Sequence, residues 1–222
     1  MSQVTEIASI PLLPGLDLTT GDTHSTWTEF LGMVAGQPGC KSVYWGRQVE
    51  HPDIVQLAIT WETLQHHKDF IASPQYKPFG NLLAPIAGGA PTFYHLNLPA
   101  SQPFDTPGSA PVTECFAGYF DLEHSTDAFD ANWAKFAEEG VKVATEALGL
   151  TGGWAEEEQK HEKCGAKEGE EGPARLFGAF IGWPNIEAHK EFSKSEAFPG
   201  LVKYLRDGPK ATAVHHVAFQ KF

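Results

Sequence analysis

Ile59-Thr-Trp61-Glu-Thr-Leu-Gln-His-His67-Lys-Asp-Phe70 recurs further along the chain as Ile181-Gly-Trp183-Pro-Asn-Ile-Glu-Ala-His189-Lys-Glu-Phe192. Ile, Trp, His, Lys, an acid and Phe stay in register at an offset of 122 (183 − 61). Self-similarity of this length fixes an architecture of two like units before any single residue is interpreted. The echo is wider: Trp27 and Phe30 align with Trp133 and Phe136, Trp45-Gly-Arg-Gln-Val-Glu50 with Trp154-Ala-Glu-Glu-Glu-Gln159, and Phe93-Tyr-His95-Leu-Asn97-Leu98 with Val214-His-His216-Val-Ala218-Phe219. The offset grows along the chain, so the additional residues of the second copy fall between matched elements, where loops tolerate them.

Each half reads strand, helix, strand, strand, helix, strand. In the first half the strands are expected at 6–13, 43–49, 54–61 and 92–98, with helices at 25–35 (Ser25 as N-cap) and 62–71. In the second they are expected at 113–122, near Trp154, at 175–183 and at 213–222, with helices at 128–148 and 185–193. A βαββαβ order gives an antiparallel sheet with both helices on one face, so the fold class is α+β with two ferredoxin-like repeats. Val55, Leu57, Ile59 and Trp61 make one apolar strand face, while Gln56, Ala58 and Thr60 make a milder second one; Phe177, Ala179, Ile181 and Trp183 repeat the first. Two such sheets packed face to face bury both faces. The expected domains are therefore 1–98, a Pro-rich linker at 99–111 and 112–222, the last carrying an acidic loop at 155–174. That loop is rich in Glu, Lys and Gly, and it reads as solvated and poorly ordered.

The 16 basic against 28 acidic residues give a formal charge of −12, and no basic stripe exists to neutralise phosphates. Nucleic acid and membrane surfaces are poor partners for such a chain. Cys40, Cys115 and Cys164 cannot make a full disulfide framework, and the N-terminus lacks a signal-like apolar run, which suits the cytoplasm. No C-x-x-C, G-x-G-x-x-G, Walker loop or G-x-S-x-G occurs, so the expectation is no cofactor and no metal; His161 and Cys164 lie three apart but have no second pair.

Val43-Tyr44-Trp45-Gly46, a strand ending in Trp61, and a helix holding His67 and Phe70 followed by Ser73-Pro-Gln-Tyr76 resemble the dimeric α/β-barrel superfamily of antibiotic-biosynthesis-monooxygenase-like and stress-response barrel domains. The resemblance covers most of both halves and implies a fused form in which the two halves build internally the barrel that relatives build as homodimers. A monomer or weak homodimer follows. Relatives include cofactor-free oxygenases of phenolic polyketides, polyketide cyclases, haem-degrading enzymes and proteins with no assigned reaction. The plant polyketide cyclase of the superfamily places a catalytic histidine just after the second helix, where this chain has Tyr76 and, in the second copy, Phe198. Its mechanism does not transfer intact. The axial histidine of the haem-degrading branch has no counterpart in 77–81 or 199–203, which argues against haem.

The remaining candidates are histidines and tyrosines. His67 falls between Leu64 and Phe70 at helical spacing, and His189 between Ile186 and Phe192, so both should face the sheet. A buried imidazole there either moves a proton near neutral pH or serves the helix–sheet seam as a hydrogen-bonded structural group. His95 and Asn97 alternate on one strand face, with His216 and Ala218 at the matching places, and they read either as cavity groups or as a polar sheet junction. The expectation is a small-molecule enzyme of secondary metabolism acting on an aromatic or polyketide-like compound by acid/base-assisted cyclisation or rearrangement. His67, His95, Tyr44 and Tyr76 are its catalytic candidates, and Asn97, Trp61, His189 and His216 its substrate contacts. Oxygenation of a phenol without cofactor, and ligand binding without turnover, are the alternatives. A duplicated chain needs one working site, and the richer set of Tyr44, Tyr76, His95 and Asn97 favours the first half.

Overall fold

The computed structural model describes residues 3–167 and 169–222. Met1, Ser2 and Glu168, which enter the readings of the N-terminus and the acidic loop, lie outside the described residues. The first half runs β1 (Val4–Pro11), α1 (Gly21–Ala35), β2 (Cys40–Arg47), β3 (Ile54–Trp61), α2 (Leu64–Ala72), α3 (Tyr76–Leu83) and β4 (Thr92–Leu96). After a short helix, α4 (Asp105–Gly108), the second half runs β5 (Val112–Phe120), α5 (Thr126–Val143), β6 (Leu150–Trp154), β7 (Gln159–His161), β8 (Gly172–Trp183), α6 (Ile186–Ser193), α7 (Phe198–Arg206), β9 (Ala211–Val217) and β10 (Gln220–Lys221). The strand orders are β10-β2-β3-β1-β4 and β6-β8-β5-β9, all antiparallel. Each half is thus the expected ferredoxin-like unit.

Three helices depart from the sequence reading for local reasons. Helix α1 begins at Gly21, four residues before Ser25, because the Asp17 carboxylate accepts from Thr19 N and from the Thr19 and Thr20 hydroxyls and ends the preceding chain in a tight turn. Ser25 instead donates its hydroxyl to the Gly21 carbonyl from inside the first turn. Helices α3 and α7, which hold Pro78 and Pro199, lie in stretches for which no element was expected. Both prolines fall in a first helical turn, where the missing N–H would have had no partner anyway.

The two sheets close on each other along both edges. Asn97 N donates to Trp154 O (3.0 Å) and Glu156 N to His95 O (2.8 Å) at one seam. At the other, Val49 N donates to His216 O (2.8 Å), Phe222 N donates to Val43 O (2.9 Å), and β10 pairs with β2. Closure removes the free strand edges that would otherwise template association. Gly46 and Gly153 occupy equivalent positions at these seams, and a Cβ on either would overlap a carbonyl oxygen, of Ala218 and of Asn97 respectively. The result is an intramolecular dimeric α/β barrel.

The pairing also corrects one alignment. Trp45 faces Leu57, whose repeat counterpart Ala179 faces Gly152, so the offset in this segment is 107 (152 − 45). Trp45 therefore corresponds to Gly152, and Trp154 to Arg47; the shared tryptophan was a misleading anchor. At this offset Glu50 aligns with Glu157.

Side chains of the inner faces fill the barrel: Ile7, Tyr44, Ala58, Leu96, Cys115, Phe180 and Val217 pack there. Phe104, from the Pro-rich segment, is inserted among them, with its ring edge-to-face on Tyr44, Phe180 and Phe219. Residues 99–111 thus do more than link: they end in a helical turn that plugs the barrel. Two further cores lie on the outer faces, each between one sheet and its helices.

Candidate active site

The outer faces carry the same four-residue arrangement twice. In the first half, Glu6 on β1 and His95 on β4 are register partners, and α2, capped by the Thr63 side chain, brings His67 down onto them. Trp61 Nε1 donates to Glu6 Oε2 at 2.8 Å while its ring stacks on His67 at 4.8 Å. His67 Nδ1 lies 2.7 Å from His95 Nε2 and 3.3 Å from Glu6 Oε2. In the second half, Trp183 Nε1 donates to Glu114 Oε2 (3.0 Å) and stacks on His189 (5.1 Å). His189 Nδ1 lies 2.7 Å from His216 Nε2, and its Nε2 lies 3.4 Å from Glu114 Oε2.

Each pair is completed from the other half. His95 donates its backbone N–H to one Glu157 oxygen (2.8 Å), and its Nδ1 is 2.5 Å from the other. His216 does the same with Glu50, at 2.8 and 2.6 Å. Partial burial pushes the Glu50 and Glu157 carboxyls up, but the hydrogen bonds from the histidines outweigh it and hold both below the usual carboxylate range.

An ionised Glu50 can only accept, so His216 Nδ1 carries the hydrogen and its Nε2 accepts from His189 Nδ1–H; this tautomer follows from the network. His189 Nε2 is then bare and faces Glu114. Burial, and next the His216 charge, lower the His189 pKa to about 4. Burial raises Glu114 to about 7, against the opposing Trp183 hydrogen bond and His216. Near neutrality a neutral imidazole therefore meets a carboxyl that divides between its two forms, which is the pairing general acid/base work requires.

The second arrangement opens onto a cavity of about 850 Å³, lined by Glu114, His189 and Trp183 among mainly apolar side chains. Size differences between equivalent positions explain this. Phe79, stacked on Phe30 at 4.3 Å in the first half, becomes Leu201; Val34 becomes Gly140, Trp45 becomes Gly152 and Phe93 becomes Val214. Phe116 replaces Ala8 and only partly fills the space. In the first half Phe93 instead tilts over His67 at 5.5 Å, and Phe70, Tyr76 and Phe79 pack together over the sheet.

The expected residues thus separate into groups. His67, His95 and Trp61 meet in the first half, with Tyr76 half-buried beside Phe70 and its hydroxyl pushed up by burial and then by Glu6. His189 and His216 meet in the second, where the cavity lies, although the sequence favoured the first. Tyr44 joins neither: it pairs with Ala58, its side chain enters the barrel, and its hydroxyl donates to Asp105 at 2.8 Å. Asn97 sits at the seam and donates to Glu156 (2.7 Å). Both Asn97 and Tyr44 are thus engaged away from the histidine pairs. Sequence reasoning missed all four glutamates. Glu6 and Glu114 carried a signal, an acid at matching places within two apolar strands; Glu50 and Glu157 were hidden by the misplaced alignment. Glu157 also changes the reading of the acidic loop, whose first turn is tied to His95 and Asn97 and whose β7 pairs with β8.

Glu6, His67 and His95 form the one group, among the described residues, whose ligand atoms converge closely enough for a metal ion. None of the described helices is long and apolar enough to cross a membrane.

Comparison with known proteins agrees with this fold. Residues 21–81 match the antibiotic biosynthesis monooxygenase family. No curated protein matches the chain. Among solved structures, a candidate monooxygenase from Fusobacterium nucleatum is 9% identical over 99% of this chain and 94% of its own, with a TM-score of 0.62. A candidate monooxygenase from Lactobacillus acidophilus NCFM is 9% identical over 100% and 96%, at 0.59. An anthrone oxidase-like protein is 11% identical over 100% and 94%, at 0.61. At these identities the likeness is one of fold. Residues 21–81 are thus similar to the antibiotic biosynthesis monooxygenase family, and over nearly its whole length the chain shares the fold of these solved structures.

Proposed function

We propose that the protein is a small-molecule enzyme that binds an aromatic or polyketide-like compound in the second-half cavity and moves a proton at Glu114 and His189. The observation that carries this reading is that these two groups line one cavity whose other side chains are mainly apolar. Ionised Glu114 takes a proton from an acidic C–H or phenol of the substrate, and the bare His189 Nε2 receives it. Loss of the His189 Nδ1 proton to His216 then returns His189 to its neutral form and leaves the positive charge on the His216 imidazolium, beside the Glu50 carboxylate. The chemistry asks the protein only for a proton acceptor and a dry pocket. Acid/base-assisted cyclisation or rearrangement is the first reading, with the catalytic pair moved from His67 and His95 to their second-half counterparts.

Oxygenation is the second reading, favoured by the family match over residues 21–81: the anion made by the same proton removal would itself reduce oxygen. The closed internal barrel suits a monomer. The three unpaired cysteines suit a reducing compartment such as the cytoplasm.

The test is to incubate the protein with an anthrone and with a linear poly-β-ketone mimic while following product and dissolved oxygen. His189→Gln and Glu114→Gln should each reduce turnover by about a hundredfold or more. Oxygen uptake in step with anthrone loss selects oxygenation. Saturable binding that these substitutions leave without any turnover to lose selects a non-catalytic barrel.

A further inference from the structure

We propose that Glu6, His67 and His95 form a divalent-metal site in the first half, of a donor set suited to Zn²⁺, separate from the second-half cavity. Three atoms converge there: Glu6 Oε2, His67 Nδ1 and His95 Nε2, with 2.7 Å between the nitrogens and 3.3 Å from His67 Nδ1 to the carboxylate. All ligand atoms lie within 4.8 Å of one another, and all three residues are buried.

Hydrogen counting shows why a cation fits better than protons alone. His95 Nδ1 is committed to Glu157, so its Nε2 offers a lone pair inward. His67 Nδ1 faces both that lone pair and the Glu6 oxygen but can carry one hydrogen at most. One of its two contacts is therefore always poorly made, inside a buried site where unmade contacts are costly. A cation at the common centre satisfies all three lone pairs, with the His67 hydrogen moved to Nε2. Bonds of about 2.1 Å in tetrahedral array need ligand atoms roughly 3.4 Å apart, so the nitrogens must separate by about 0.7 Å, a modest ring rotation. The fourth corner is left to water.

The surroundings are those that metal ligands have. Glu157 holds the outer nitrogen of His95, and Trp61 Nε1 holds the carboxylate, which fixes tautomer and direction for two of the three ligands. His67 is clamped between the Trp61 ring and Phe93. The second half repeats the residues but not the convergence, since His189 turns Nε2 to Glu114 and Nδ1 to His216.

The test uses the full chain without a histidine tag, stripped by chelator and titrated with Zn²⁺ and with Co²⁺, with binding read by calorimetry, metal analysis and cobalt visible absorption. One equivalent should bind and raise the melting temperature. Glu6→Gln should weaken binding by about a hundredfold or more, and Glu157→Gln, which touches no metal, by about 10- to 100-fold with an altered cobalt spectrum. Glu114→Gln should leave binding unchanged. Near-ultraviolet circular dichroism confirms that each variant is folded, and Glu157, half-exposed at the seam, keeps the test open should Glu6→Gln fail to fold. Binding no tighter than about 100 µM would overturn the site; so would loss in Cys164→Ser, which marks the surface His161/Cys164 pair, with retention in Glu6→Gln and Glu157→Gln.

Discussion

The carboxylate of Glu50, in the loop between β2 and β3 of the first half, lies 2.6 Å from Nδ1 of His216 on the last long strand of the second. Glu157 reaches back across the opposite seam to His95 in the same way. Neither histidine pair is complete within its own half. The polar arrangement therefore depends on the sheet closure, and the closure is in turn fastened by the polar arrangement.

Glu50→Gln and Glu157→Gln should each destabilise the fold by about 1 kcal/mol, below the usual range for a hydrogen bond to a charged group because both carboxylates are more than a third exposed. The double variant should cost roughly the sum, since the two seams lie on opposite edges. Urea unfolding of the four proteins measures this, and a change below about 0.3 kcal/mol in both single variants would mean the cross-half bonds are ornamental.

Glu114 provides a pH signature. Its carboxyl is held near 7 in the fold against an ordinary 4.5, so the folded state binds the extra proton between those values. That contribution is fully present below about pH 4.5 and is lost as pH rises through 7. His189, held near 4 against 6.5, acts oppositely: the unfolded chain takes the proton first, and stability falls as pH drops from 6.5 to 4. Glu114→Gln removes only the first effect. The stability of the variant relative to wild type should therefore rise from pH 4.5 to 7, by up to about 3 kcal/mol, and level off above. Denaturation curves at several pH values read it directly, and a flat difference would refute the buried-acid assignment.

The seam glycines allow a sharper structural test. A methyl at Gly46 or Gly153 meets a backbone carbonyl oxygen of the facing chain, which cannot move without opening the sheet edge. Gly46→Ala and Gly153→Ala should each cost about 2–4 kcal/mol, far beyond an exposed-strand substitution. Gly140→Ala is the control: its new methyl would lie 3.7 Å from Leu201, an ordinary contact, and an interior helical glycine replaced by alanine should gain about 0.5–1 kcal/mol.

The Trp/His/Phe block made the two-unit fold legible because its spacing encodes a strand followed by a helix, twice. Helical spacing turned His67 and His189 toward the sheet, and strand alternation set His95 and Asn97 on one face. The same alternation puts Tyr44 on the other face, yet Tyr44 was grouped with them by residue chemistry alone. The Glu50 and Glu157 contacts were illegible for another reason: they bridge the two halves and lie just past strand ends, where no periodicity marks them. The location of the cavity depended on pairs such as Phe79/Leu201 and Val34/Gly140, whose size differences matter only once helix and sheet are known to face each other.

Those pairs supply the last prediction. In the first half Phe79 stacks on Phe30, whereas Leu201 opposite Phe136 leaves the cavity open. Leu201→Phe should rebuild the first-half stack and fill the space above Glu114 and His189 without touching either group. An aromatic probe such as an anthrone, if it binds there, should lose at least about tenfold in affinity, since its contact surface is replaced by protein. Stability should stay within about 1 kcal/mol of wild type, because added volume enters an existing void and not a packed core. Probe affinity unchanged in a folded Leu201→Phe protein would place the binding site outside this cavity and withdraw the catalytic reading of Glu114 and His189.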